Sequence, residues 1–298
     1  MKFVYAQLKG GLGNQLFIYA FAKSISISSN RKLILDIYSG FEADAQYNRK
    51  YELDKFGISP YKIVNDSSTL FSKKILKKLS ILYNKLIPYR FKFYIFESNL
   101  IHNSKLVELD SEHTYLYIDG YWQSEKYFEN HSEDIFDDFK SFLNNKDYLN
   151  KITSSMNENS VSVHVRKFVD HGSKFNNNLD LNYYEEAFKI IENKIDHPIY
   201  YIFSEPGAIK EKIRNFFISK NCVFVCDLYE NLTSDIDFFL MARCRHHIIA
   251  NSTFSWWSAW IGEKSVSKSI IIAPKIFIDD GPASWGFKGQ IPDRWLKC

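Results

Sequence analysis

The sequence predicts an α/β protein of two doubly wound domains, and three observations carry that expectation. A strand, a Gly-rich turn, a helix and a second strand follow one another within residues 3–37, the signature of a βαβ unit and a parallel sheet. From residue 160 onward, short apolar runs alternate with amphipathic stretches of helical period, the pattern of a second such sheet. A chain of 298 residues is also long for one hydrophobic core and comfortable for two.

In the first half a strand is expected over residues 3–8, then the turn Gly10-Gly11-Leu12-Gly13. A helix over residues 14–28 follows, with Leu16, Phe17, Ala20 and Phe21 on one face, and a strand over residues 32–37. Residues 71–96 carry six lysines and Arg90 but no acidic residue. Within them Ile75, Leu76, Leu79, Leu82, Tyr83 and Leu86 form an apolar stripe opposite Lys73, Lys74, Lys77, Lys78 and Lys85. Such a basic amphipathic helix reads either as a surface helix with a solvated lysine face or as a device for docking on an anionic bilayer. A strand over residues 115–119 runs into Gly120-Tyr121-Trp122-Gln123, and the polar stretch 144–159 reads as a linker. The domains are therefore expected at residues 1–155 and 156–298.

The second half opens on Val161-Ser162-Val163, an apolar strand that runs into His164. A helix begins near Asn182, with Glu185 completing a capping box. Strands are expected over residues 199–203, 222–225, 247–250 and 269–273, and helices over 208–217, 235–244 and 254–261.

Composition narrows the class. With 45% hydrophobic and 24% charged residues the chain is globular, and a net charge of +3 leaves no nucleic-acid footprint. Aromatics reach 17%, which suits clefts that stack sugars or bases, although AT-rich codon usage gives the same enrichment. Cys222 and Cys226, four apart in an apparent strand, would lie roughly 13 Å apart, too far for a disulfide. No Cys/His set has zinc spacing. The opening apolar run is too short for a signal peptide, and no stretch approaches the ~20 apolar residues of a membrane span. A reduced, cytoplasmic protein is expected, with peripheral contact to the inner membrane as a further expectation from the basic helix.

In open α/β sheets ligands bind at the carboxyl ends of strands, and three motifs fall there. In Gly10-Gly11-Leu12-Gly13-Asn14-Gln15 the glycines admit close approach of a ligand to the backbone. The motif fails as a dinucleotide fingerprint because Leu16 stands where Gly or Ala belongs, although Asp36 imitates the ribose-binding acid. In Val163-His164-Val165-Arg166 strand alternation puts His164 and Arg166 on one side, where a guanidinium can grip phosphate oxygens bidentately. The third is Asp237 with Asn251-Ser252-Thr253-Phe254-Ser255-Trp256-Trp257, where a strand ends and a helix begins, offering hydroxyls and N–H groups to a diphosphate. Asp237 has the acceptors that guanine N1 and N2 require. Asp235-Ile236-Asp237 spells a metal-binding Asp-x-Asp, but its place at a helix start late in the chain argues against metal ligation.

Taken with Asp119-Gly120-Tyr121-Trp122-Gln123 and His247-Ile248-Ile249-Ala250, these segments resemble, nearly end to end, the bacterial α-1,2-fucosyltransferase family. The resemblance implies the GT-B fold, two Rossmann-like domains facing across a cleft. It implies inverting transfer of L-fucose from GDP-β-L-fucose to the 2-hydroxyl of a galactose-terminated glycan, lipid-linked in O-antigen or capsule synthesis, without cofactor or metal. Carried onto this chain, Arg166 would hold the β-phosphate, Asp237 the guanine, and Thr253 and Ser255, with Ser252 and Phe254 in the same turn, the phosphates. Asn14, with Gly11, Gly13 and Gln15, would reach the donor from the other domain. The usual His-x-Arg-Arg-Gly-Asp-Tyr here becomes His164-Val165-Arg166-Lys167-Phe168-Val169-Asp170, so Asp170 is one of four candidate bases beside His164, Asp36 and Glu125. A fucosyltransferase of another linkage and a nicotinamide-dependent oxidoreductase remain as alternatives.

Overall fold

Two parallel sheets organise the chain. The structure, a computed structural model, describes residues 1–42, 44, 47–97, 101–107, 109, 111–144, 153–166, 179–204, 211–228, 233–275 and 289–298. One unit comprises Met1–Phe142 with Phe287–Gln290, the other Leu143–Gly286 with Ile291–Cys298.

In the first unit β1 (Lys2–Gln7), β2 (Arg31–Asp36), β3 (Lys62–Val64), β4 (Tyr94–Phe96) and β5 (Tyr115–Asp119) lie in the order β3-β2-β1-β5-β4. All neighbours are parallel, with Lys2 opposite Arg31 and Gln7 opposite Asp36. The helix α1 (Leu12–Ser28) crosses between β1 and β2 and buries Leu16, Phe17, Ala20 and Phe21, the face its sequence predicts. Two further α-helices, α2 (Lys74–Leu86) and α3 (Ser132–Asn144), complete the described α-helices of this unit. On α3, Ile135, Phe136, Phe139 and Phe142 are buried, and Phe139 and Phe142 pack on Phe56 at ring separations of 5.5 and 4.5 Å.

The second unit contains β6 (Ser160–Val165), α4 (Leu181–Glu192), β7 (Ile199–Ser204), α5 (Glu211–Ile218) and β8 (Cys222–Phe224). It continues with α6 (Ser234–Arg243), β9 (His246–Ile248), α7 (Thr253–Ser265), β10 (Ile271–Ala273) and β11 (Leu296–Lys297). The sheet order, β11-β10-β9-β6-β7-β8, is parallel throughout. Counted within the unit this is 6-5-4-1-2-3, the doubly wound nucleotide-binding order. Strand alternation divides β6 between two cores. Val161, Val163 and Val165 pack with Tyr183, Tyr184, Ala187, Phe188 and Ile191 of α4. On the opposite side Ser162 bonds His247, and the His164 ring lies 5.9 Å from Phe254 of α7.

Several local expectations are corrected. The cap of α4 is Asp180, whose carboxylate accepts the Tyr183 N–H at 3.1 Å, rather than a capping box on Asn182. β8 ends at Phe224, so Cys226 sits in a short 3₁₀ turn, and all four cysteines are free.

Glycine at 262 is required by the close approach of α7 to β9. A Cβ there would meet His247 Nε2 at 2.6 Å and the Ala242 carbonyl oxygen at 2.9 Å. His247 cannot turn away without breaking its 2.8 Å bond to Ser162 Oγ. Gly262→Ala is expected to destabilise the protein by about 1–3 kcal/mol, the usual range for an overpacked core, read as a fall of several degrees in Tm.

Candidate active site

The two halves of a doubly wound sheet part at a switch point, where the loops after the central strands open a crevice. In the second unit that point lies between β6 and β9, because the chain runs outward from β6 to β7 and β8 and later returns to β9. Arg166 is the first residue beyond β6, and Asn251-Ser252 closes the turn from β9 into α7. Arg166 Nη1 donates to Ser252 Oγ at 2.8 Å, so these two loops meet at the switch point.

The start of α7 has the features of an anion site. Ser252 occupies the cap position in an extended conformation but makes no capping bond, its hydroxyl being engaged by Arg166. The first bond within the helix runs from the Trp256 N–H to the Ser252 carbonyl at 3.0 Å. The N–H groups of Thr253, Phe254 and Ser255 precede it, at the positive end of the helix dipole. Thr253 and Phe254, which open the helix, are only partly buried.

Two of the expected phosphate contacts are corrected. From sequence the Ser255 hydroxyl is placed on the phosphates, but the side chain is fully buried, and its Oγ donates to the carbonyls of Ala250 and Ser252 at 3.4 and 3.2 Å. Only its N–H remains for an anion. Ser252 is likewise buried, and its hydroxyl accepts from Arg166 Nη1, which places it to orient that guanidinium. Phe254 packs between His164 and Phe238, at 5.9 and 5.4 Å, and so holds the loop ends together.

Asp237 projects from the first turn of α6. It is half-buried, and among the described residues its carboxylate makes no hydrogen bond or ion pair. Burial, with the nearby Asp235 charge adding to it, pushes its pKa up to about 6. A carboxylate held this way lacks donors, and two N–H groups on one edge of a base would supply them.

His164 is buried, and its Nδ1 has no partner among the described residues. Burial and then the Arg166 charge depress its pKa to about 3, so the ring is neutral at physiological pH. Such a ring is a weaker base than a free imidazole, and its burial places it poorly for taking a proton from a sugar hydroxyl. Asp170 lies outside the described residues. Asp36 is sealed: its carboxylate accepts from the N–H groups of Tyr38 and Ser39 at 2.9 and 2.8 Å, the Ser39 hydroxyl at 2.9 Å, and the Thr69 hydroxyl. It can serve neither as a base nor as a ribose-binding acid. Glu125, partly buried, opens a 3₁₀ turn.

In the first unit the switch point lies between β1 and β5, and its two loops also meet. Gln123, beyond β5, donates from Nε2 to Asn14 Oδ1 at 2.7 Å. Asn14 Nδ2 lies over Gly10, whose φ of +74° and lack of a Cβ, which would come within 2.7 Å of that nitrogen, make glycine necessary there. Gly11 caps α1, and Gly13 is buried in its first turn. Gln15 is corrected. It is fully buried, with Nε2 donating to the carbonyls of Gly10 and Lys50 at 3.0 and 2.7 Å and Oε1 accepting from the Glu52 N–H at 3.0 Å. It fixes the Gly turn and has no donor left for a ligand.

Sequence reasoning missed two residues here. The exposed Arg49 guanidinium lies 3.7 Å from where a Gly11 Cβ would stand, placing a cation above the Gly turn. Glu97, beyond β4, accepts the N–H groups of Tyr121 and Trp122 at 2.6 and 3.2 Å and so shapes the Gly-Tyr-Trp-Gln loop, in which Trp122 holds a φ of +55°. Burial raises the Glu97 pKa against these two bonds. Neither residue belongs to a motif, since both are brought in by the fold. Among the described residues no group of three His, Cys, Asp or Glu stands where it could hold a metal ion.

Comparison with known proteins fits this geometry. The model of glycosyl transferase family 11 matches residues 3–288. An α-1,2-colitosyltransferase of Escherichia coli is 31% identical, covering 100% of this chain and 99% of the relative. The O-antigen biosynthesis glycosyltransferase WbnK of Escherichia coli is 29% identical, covering 91% and 94% respectively. Among solved structures, an Arabidopsis thaliana FUT1 mutant in complex with GDP superposes with a TM-score of 0.51 at 10% identity, covering 91% of this chain and 70% of that one. The likeness shows the GT-B fold, here built of two Rossmann-like α/β units. The chain belongs to glycosyl transferase family 11 and is a glycosyltransferase.

Proposed function

We propose that the protein transfers L-fucose from GDP-β-L-fucose to the 2-hydroxyl of a galactose-terminated glycan, with inversion and without a metal, in O-antigen or capsule assembly. The observation that carries this reading is the pairing of Arg166 with Ser252 at the β6/β9 switch point, beside the uncapped start of α7. That arrangement suits a diphosphate, and Asp237 supplies the acceptor for a guanine edge. In the displacement the bond from the anomeric carbon to the β-phosphate oxygen breaks, and the acceptor oxygen bonds from the opposite face. The charge that develops on the leaving diphosphate is met by Arg166, Thr253 and the α7 dipole, a cationic clamp already in place before reaction. The acceptor hydroxyl loses its proton to a group other than His164, whose ring stays neutral.

A second reading has a specific support: the 31% identical relative is an α-1,2-colitosyltransferase. Colitose is L-fucose without its 3-hydroxyl, so its GDP-linked form would present the same reacting face. Incubation with GDP-fucose and GDP-colitose, each with galactose-terminated acceptors and with or without EDTA, separates the readings. α-1,2-Fucoside formed at an unchanged rate in EDTA is the expected result. Product from GDP-colitose alone assigns the second reading, and loss of turnover in EDTA that added Mn²⁺ or Mg²⁺ restores contradicts metal-free transfer.

A further inference from the structure

The amphipathic helix α2 is mounted with its apolar face outward. Lys77 reaches inward to the fully buried Asp119 at 2.6 Å, and Ser80 and Asn84 are the buried residues of the helix. Burial alone would raise the Asp119 pKa, but Lys9 and Lys77 outweigh it and hold the carboxylate below its ordinary range, so the anchor is ionised at neutral pH. The stripe that a surface helix ordinarily buries is left in solvent: Ile75 is 76% exposed, Leu79 56%, Leu82 61% and Leu86 81%. Leu76 and Tyr83 are exposed on the same face, and the Tyr83 ring is tilted against Phe93 with centroids 6.1 Å apart. Lys74, Lys78 and Lys85 flank the stripe on one side, exposed to solvent. The ordinary surface-helix reading is thus overturned, because the buried face is the polar one.

We propose that this face docks the protein on an anionic bilayer, with α2 lying in the plane of the interface and its leucines among the acyl chains. Charge complementarity selects this occupant. The whole chain has a net charge of only +3, yet residues 71–96 carry seven cations and no anion. A leucine-rich face bordered by lysines matches a surface that offers hydrocarbon below a layer of phosphates. A second copy of the same face would meet it with like charges. The proposal is independent of the donor and acceptor assignments, since vesicle binding is read without sugar transfer.

The test is co-sedimentation of the full chain with vesicles of phosphatidylglycerol and phosphatidylethanolamine, against vesicles of phosphatidylcholine alone. Binding to the anionic vesicles, weakened by salt, is expected. Replacing Lys74, Lys78 and Lys85 by glutamine should weaken it on the order of a hundredfold, at about fivefold per lysine. Replacing Leu79, Leu82 and Leu86 by glutamine should abolish it with Tm unchanged, because these side chains are exposed in the folded protein. Absence of binding to either vesicle, or equal binding to both, overturns the proposal. So does binding that survives both sets of substitutions. A concentration-dependent dimer that the leucine substitutions dissolve, without lipid binding, assigns the face to a second copy and also overturns it.

Discussion

Arg166→Ala is expected to lower sugar transfer by about 10²–10³-fold, the cost of removing one preorganised charge-stabilising group from a leaving oxyanion, while the protein stays folded. Arg166 stands beyond the end of β6 and outside the valine core, so its removal takes no apolar packing from the sheet. It does release the Ser252 hydroxyl, which then becomes free to cap α7 and close part of the anion site. Arg166→Lys should not restore the rate, because an ammonium cannot hold Ser252 and grip the phosphate oxygens in one plane. Single-turnover transfer with saturating donor, alongside thermal melting, checks both variants. Near-normal turnover in the alanine variant removes Arg166 from the mechanism.

Asp237→Asn is expected to weaken GDP binding by about 10–100-fold, since hydrogen bonds to a charged acceptor contribute roughly 1.5–3 kcal/mol. Inosine diphosphate, which lacks the N2 amine, should lose about tenfold on the natural protein and little on the variant. The pH dependence follows from the pKa of about 6. Ionised Asp237 accepts from guanine N1–H and N2–H, whereas the protonated form presents a hydrogen to them. Affinity should therefore fall as pH drops below about 6, and the variant should lose this contribution. A GDP-sugar is the better ligand for the profile, because its diphosphate has no proton to titrate in that range. The same shift sets a stability trend of opposite sense. The unfolded carboxyl ionises at lower pH than the folded one, so stability contributed by Asp237 is present at low pH and lost as pH rises from about 4 through 6. Asp237→Asn should flatten that trend. Titrations at pH 5 and 7.5 that show equal affinity in both proteins would contradict the guanine assignment.

Much of the fold was legible because the periodicities were unambiguous. The β1–α1–β2 unit and the alternation after residue 160 follow from the spacing of their apolar residues. Short strands were harder to read. β3, β4 and β11 have three, three and two residues and, unlike the comparably short β8, β9 and β10, were not expected; they exist because a neighbouring strand pairs with them. α3 carries its apolar residues at helical spacing, yet it adjoins a polar stretch that reads as linker and borrows its character. The orientation of α2 was hidden for another reason. The stripe was visible, but which face turns inward depends on Lys77 finding Asp119, a partner forty-two residues away.

The site divides in the same way. Arg166 and Thr253 stand where motif and strand end coincide, and Asp237 stands in the first turn of α6, the elements in which the sequence expects them. Gln15, Asp36 and Ser255 carry groups that suit a ligand and occur in the right motifs, but the structure spends their hydrogen bonds on the loops that form the site. A one-dimensional pattern does not distinguish a polar group that touches a ligand from one that holds the loop beneath it. Arg49 and Glu97 show the converse, since both reach the loop edge from segments without any recognisable motif.

On the proposed reading, the β6/β9 switch point of the second unit holds a guanosine diphosphate. Calorimetric titration of the natural protein and the Arg166→Ala variant with GDP, and of the natural protein with NADH, tests it most directly. One GDP per chain, bound at least tenfold more weakly by the variant, with no heat from NADH, is expected. GDP bound equally well by both proteins, or NADH bound in its place, would contradict it.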